Sequence, residues 1–174
     1  MRNWRSSLLV ATVIMGASAA ASAAETQVER GKYLVTITGC NDCHTPGALL
    51  GKSDLSRTLG GSDVGFGIPG VGVFVGQNLT PDKETGLGNW TTEQIIAAIT
   101  KGERPDGRKL FPVMPWPALA SLTADDSQAI VAYLKSLPPV KNAVPGPYGP
   151  KDVPSTFVSV VIPGDAFAKM QAPK

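Results

Sequence analysis

The chain has 174 residues, with 16 basic and 14 acidic side chains, a single histidine and two cysteines. That length gives room for one domain of ordinary size. So balanced a charge excludes a nucleic-acid binder, which needs a strongly basic face.

The chain begins with Arg2 and Arg5, followed by an apolar run from Leu8 to Met15 and a small-residue stretch from Gly16 to Ala24. A positive start, a short apolar core and Ala21-Ser22-Ala23 predict a secretory signal peptide over residues 1–24, with the mature chain starting near Ala24 or Glu25. A retained anchor fits less well, because the apolar core is shorter than the roughly 20 residues that span a bilayer. Loss of Arg2 and Arg5 leaves 14 basic against 14 acidic side chains. The mature protein is therefore expected to be periplasmic and free of an integral membrane segment, since no later stretch is long and apolar enough to span.

Three helices are expected, each with a start signal. Thr26-x-x-Glu29 has the form of a capping box, and the helix it opens runs through Val28, Gly31, Tyr33, Leu34 and Val35 to about Gly39. Thr91 with Gln94, and Trp90 against Ile95, make a second box with a hydrophobic staple. That helix continues through Ile96 and Ile99 and stops at Gly102. The third opens at Thr123, with Asp125 and Asp126 favourable at its positive end. Ile130, Tyr133, Leu134 and Leu137 line one face until Pro138 and Pro139 end it.

Of 19 glycines, eleven lie between Gly47 and Gly88, which predicts a long glycine-rich loop. Gly65-Phe66-Gly67-Ile68-Pro69-Gly70 matches the dinucleotide glycine pattern, but Pro69 and the following glycines forbid the helix that motif must open, so it reads as loop. The glycosylation patterns Asn78-Leu79-Thr80 and Asn89-Trp90-Thr91 are short enough to arise by chance. Residues 141–174 read as a proline-punctuated, extended tail without helical period, containing at most one short strand over Phe157 to Ile162.

The chemistry lies in Cys40-Asn41-Asp42-Cys43-His44. Cysteines three apart share one side of a helical turn, so both sulfurs can add to the two vinyl groups of one haem while the next residue brings its imidazole under the iron. A plain disulfide or a thioredoxin-like pair competes, but the adjacent histidine and the absence of a strand-rich pattern weigh against both. Zinc would need a second Cys or His cluster, and the sequence has none.

His44 is the only histidine, so the second axial ligand is expected to be methionine. Met1 and Met15 fall in the signal segment, which leaves Met114 and Met170. Met114 sits in Leu110-Phe111-Pro112-Val113-Met114-Pro115-Trp116-Pro117, a loop stiffened by prolines, whereas Met170 lies in the tail. Methionine opposite histidine stabilises ferrous iron and closes it to substrates, which favours electron transfer over catalysis. A catalytic or small-ligand-binding haem protein whose methionine dissociates is the rival reading. Leu110, Phe111, Trp116, Ile95 and Ile99 are the expected apolar haem contacts. Lys101, Arg104, Arg108 and Lys109, interrupted by Glu103 and Asp106, form a basic segment leading to the Met114 loop.

From Glu25 to about Val140 the residues resemble a class I cytochrome c. Gly31 and Tyr33 resemble the positions that pack against the terminal helix around Tyr133 and Leu134. The run Asn78-Leu79-Thr80-Pro81-Asp82-Lys83-Glu84-Thr85-Gly86-Leu87-Gly88-Asn89-Trp90 resembles a segment of the cytochrome subunits of periplasmic alcohol, aldehyde and gluconate dehydrogenases. Asp106-Gly107-Arg108, Met114-Pro115-Trp116 and Ala132-Tyr133-Leu134 fit the same group. The resemblance implies a mostly α cytochrome c fold of three to five helices around one haem c, over residues 25–140, and an electron-transfer protein rather than an enzyme. It implies a periplasmic dehydrogenase as donor and a downstream cytochrome or oxidase as acceptor, and makes Asn78, Trp90 and Arg108 neighbours of the haem propionates. Two departures stand out. Such subunits often carry several haems or an anchor, whereas this chain has one attachment motif. The family proline whose carbonyl holds the imidazole has no clear counterpart.

Overall fold

The computed structural model of the protein describes residues 25–171. The segment read as a signal peptide lies outside the described residues. The capping box at Thr26 forms, with Thr26 N–H on Glu29 Oε2 at 2.9 Å and Glu29 N–H on Thr26 Oγ1 at 3.2 Å, and opens α1 over Gln27–Ile37. Gly39, left-handed at φ 70°, turns the chain into α2, the single helical turn Cys40–His44. Two short 3₁₀ turns, Ala48–Leu50 and Leu55–Arg57, follow.

The box at Thr91 and Gln94 opens α3 over Thr92–Lys101, and left-handed Gly102 closes it. Trp90 and Ile95, the expected staple, belong to the same apolar cluster. The short α4 spans Trp116–Leu119. Thr123 caps α5, Ala124–Ser136, by accepting from Asp126 N–H.

The core forms where α1 crosses α5, with Leu34, Val35, Ile130, Val131 and Leu134 buried beside Ile95 of α3. Gly31 sits at the crossing. A Cβ there would run into the Ala129 carbonyl and lie 2.8 Å from Tyr133 Cβ. Tyr33, by contrast, is 51% exposed and lies under the Arg30 guanidinium. Arg30 also reaches across to Asp126 at 2.9 Å, tying the two helices at their rim. Because backbone cannot yield as a side chain tip can, Gly31→Ala should lower stability by about 1–3 kcal/mol. A urea midpoint equal to wild type would contradict this packing.

The glycine-rich segment is more ordered than its composition implies. It holds β1, Val64–Ile68, and β2, Gly72–Val75, paired antiparallel from Gly65↔Val75 to Ile68↔Gly72. The stretch Gly65 to Gly70, expected to be loop, is therefore strand and turn. Glycine is required in that strand. A Cβ at Gly65 would come within 2.5 Å of Val73, and one at Gly67 within 2.7 Å of Val160, so the neighbouring valines close over the bare backbone. The third strand, β3 at Phe157–Val160, comes from the tail and pairs parallel to β1, giving sheet order β2-β1-β3.

The tail also departs from expectation by forming α6, Gly164–Gln171. Its large apolar residues, Phe167 and Met170, are only one helical pair, too few to register as a period in sequence. The described residues thus hold six α-helices and a small sheet; five of the helices lie within residues 25–140, inside the expected three to five, and the sixth is in the tail. No helix among them is long and apolar enough to cross a membrane.

Candidate haem site

The α1–α2 junction presents the motif. Thr38 caps α1 by returning its N–H to Leu34, and its hydroxyl lies 3.3 Å from Cys40 Sγ. Cys40 and Cys43 are free thiols one turn apart, and both line a cavity of about 550 Å³. Burial pushes both thiol pKa values up, with the Thr38 hydroxyl opposing it at Cys40, so neither is the exposed, acidified thiolate of a redox pair.

His44 lines the same cavity, and its Nδ1 lies 2.6 Å from the Gln77 carbonyl oxygen. A carbonyl can only accept, so Nδ1 carries the proton and Nε2 keeps its lone pair for a metal. Burial lowers the imidazole pKa, which favours the neutral ring, with the Gln77 bond opposing the shift. The Gln77 carbonyl fills the place for which the sequence offers no proline. A backbone acceptor leaves no mark in sequence, so sequence reasoning had no signal for it. The adjacent Gly76 is equally specific. A Cβ on it would strike the Cys43 carbonyl and lie 3.4 Å from His44 Nδ1, so only glycine lets β2 run this close to the motif.

The remaining walls are mainly apolar. Ile95 and Ile99 of α3, Ile130 and Leu134 of α5, and Leu79, Leu87, Leu110 and Phe111 from the loops line the cavity. Phe74 of β2 also lines it and stacks on Phe111, centroids 4.6 Å apart and planes 13° from parallel. Of the expected contacts, Trp116 is not on the wall. Its indole N–H donates to the Leu110 carbonyl at 3.2 Å and its ring packs on Gly102, so it braces the loop from behind.

The two methionines separate cleanly. Met114 lines the cavity, in a turn closed by Met114 N–H to Phe111 O at 3.1 Å and Trp116 N–H to Met114 O at 2.7 Å. Met170 is 74% exposed on α6 and is not part of the wall.

Trp90 and Arg108 line the cavity, as does Arg104, whose guanidinium lies 4.9 Å from the Trp90 ring centre. In the basic segment Lys109 pairs with Glu103 at 3.0 Å and Arg104 with Asp106 at 3.3 Å. Arg108 has no carboxylate partner among the described residues. Burial and then the Arg104 charge lower its pKa, and the nearby Asp106 charge opposes them. Asn78 has a different place from the one expected. Although it borders the cavity, its amide donates to Val140 O at 2.7 Å and Thr85 Oγ1 at 3.0 Å. Its Oδ1 accepts from Thr80 N–H at 2.9 Å and Thr80 O–H at 2.7 Å. With all four bonds made inside the protein, it has none left for a propionate.

The residues fit a covalently held haem. Two unbonded thiols, a proton-fixed imidazole and a thioether share one apolar cavity whose volume lies within the roughly 300–1,000 Å³ typical of ligand sites.

The model of the cytochrome c family matches residues 28–138. The chain is 38% identical over 121 residues to the cytochrome c subunit of the quinone alcohol dehydrogenase of Gluconobacter oxydans, covering 70% of this chain and 23% of that one. It is 34% identical over 138 residues to the fructose dehydrogenase cytochrome subunit of Gluconobacter japonicus, covering 74% and 26%. It is 30% identical over 140 residues to the gluconate 2-dehydrogenase cytochrome c subunit of Pantoea cypripedii, covering 78% and 29%. The chain spans about a quarter of the length of these relatives. Matched over most of its described residues, and with its attachment motif, imidazole and thioether gathered on one cavity, the chain belongs to the cytochrome c family.

Proposed function

We propose that the chain is a periplasmic electron carrier with one haem c, attached through Cys40 and Cys43 and ligated by His44 and Met114. It would take electrons from a dehydrogenase and deliver them to a respiratory acceptor. One observation carries this reading: the Gln77 carbonyl fixes the His44 proton on Nδ1 and frees Nε2 in a cavity that Met114 also lines. When bound, the haem supplies an iron that changes oxidation state by one electron.

The protein's own residues set the conditions for that change. His44 offers a neutral nitrogen whose basicity its carbonyl partner raises. Met114 would offer the haem iron a soft sulfur, which favours the ferrous state and would keep small ligands out. Ile95, Ile99, Leu110, Phe74 and Phe111 exclude water. Arg108, a wall residue without a carboxylate ion pair among the described residues, is suited to a carboxylate such as a propionate, with Trp90 and Arg104 beside it. The dehydrogenase donor rests on the relatives, which are named as cytochrome subunits of alcohol, fructose and gluconate dehydrogenases. Export rests on the reading of residues 1–24.

The test is expression with haem-attachment machinery, followed by acid–acetone extraction and a spectrum under carbon monoxide. Haem should stay with the polypeptide, and the ferrous spectrum should ignore the gas. Haem that leaves on extraction overturns covalent attachment. A spectrum that shifts under carbon monoxide favours the ligand-binding rival.

A further inference from the structure

The bonds around Asn78 form a closed network far larger than one buried amide needs. Thr80, 0% exposed, donates its hydroxyl to Asn78 Oδ1 and accepts Val140 N–H at 3.1 Å. Thr85 Oγ1 accepts from Asn78 and from Asn142 N–H, each at 3.0 Å, and donates to Asp82 Oδ1 at 2.7 Å. Asn142 continues to the Gly60 carbonyl at 2.8 Å. The segment immediately after α5 is thereby fastened to the loop that follows β2.

The network abuts the peptide that holds the imidazole. Asn78 directly follows Gln77, whose carbonyl accepts from His44. The next residue, Leu79, donates its N–H to Leu59 O at 2.8 Å, and Leu59 N–H donates to Thr45 Oγ1 at 2.9 Å. Gly61 N–H closes the loop onto the His44 carbonyl at 2.8 Å. Leu59 is fully buried with φ 59°, a conformation that side-chain-bearing residues keep only when their surroundings over-determine it. Both flanks of the His44–Gln77 bond are therefore braced, one by Thr45 and Leu59 and the other by Asn78.

From this geometry we infer that Asn78, with Thr80, Thr85 and the post-α5 segment Val140–Asn142, is a positioning device that holds the Gln77 carbonyl on His44 Nδ1. The segment beyond the last core helix is then part of the redox site. The inference rests on the proposed haem ligation only for its effect on potential. The carbonyl bond raises the basicity of the imidazole, so loosening it weakens donation to ferric iron and raises the reduction potential.

The test compares Asn78→Ala, Thr85→Val, Thr85→Ser and Gly31→Ala with wild type, all as holoprotein. The readouts are His44 ring N–H exchange in the reduced protein by NMR, and the reduction potential, both well below the unfolding temperature. Asn78→Ala and Thr85→Val should speed ring-proton exchange by about tenfold, the factor that one buried hydrogen bond carries, and should raise the potential. Thr85→Ser, which keeps the hydroxyl, should restore both. Gly31→Ala weakens the fold elsewhere and should move neither. Wild-type exchange and potential in Thr85→Val would overturn the inference, and that variant decides alone if Asn78→Ala does not fold. A wild-type chain that takes up no haem would instead overturn the ligation reading. If that chain nonetheless folds, ring-proton exchange in Thr85→Val against wild type still decides whether the network holds the imidazole.

Discussion

A Cys40→Ala/Cys43→Ala chain should carry no covalently bound haem and should not reach the native fold. The cavity is about 550 Å³ and its walls are drawn from α2, α3, α5, β2 and the loops between them, so a group that fills it joins elements that otherwise leave a void between them. At about 24 cal/mol per Å³, a dry void of that size would cost about 13 kcal/mol. That is comparable with the whole net stability of a domain, about 5–15 kcal/mol. Water entry lowers the figure but exposes Ile95, Ile130 and Leu134, which loses the same burial by another route. Circular dichroism and urea unfolding of the haem-free chain provide the measurement. Native helicity with a cooperative transition would show that α1, α3 and α5 suffice without the cofactor.

Met114→Ala should give a folded, haem-bearing protein whose ferrous form binds carbon monoxide. Its potential should fall by on the order of 0.1–0.3 V, a fraction of the roughly 0.8 V that axial ligands span. On the proposed ligation, losing the thioether removes the ligand that favours ferrous iron, and the side chain that replaces it cannot block a diatomic ligand. Met170→Ala should change neither property, because Met170 stands 74% exposed on α6 away from the cavity. If Met170→Ala opens the iron and Met114→Ala does not, the cavity is not where the second ligand comes from.

The tail is where sequence reading was weakest. Phe157–Val160 is a strand, but nothing in its four residues names β1 as its partner or sets the pairing parallel. The partner strand is glycine-rich and lies about ninety residues earlier, where composition argued for loop. The reason is physical: a parallel pairing is a long-range choice, decided by which edge is open after the helices have packed. Likewise Trp116 carries every sequence mark of a cavity residue, lying two positions after Met114, yet its indole turns back to the Leu110 carbonyl. Direction within a proline-stiffened loop depends on the whole loop.

The sequence by itself determined what is local. Capping boxes at Thr26 and Thr91 and the acidic start after Thr123 fix three helices, because each signal acts within four residues. The Cys-x-x-Cys-His motif is legible because it is one helical turn long, and the methionine that lines the cavity because the chain has so few. Tertiary structure alone decided what the backbone does at a distance. It set the Gln77 carbonyl on His44, pressed Gly76 against Cys43, and engaged the Asn78 amide with Val140 and Thr85. Every residue carries the same carbonyl and the same N–H, so sequence cannot tell which of them will be used. Only the packing of α1 on α5, and of the following segment on the loop after β2, brings the right ones within hydrogen-bonding reach.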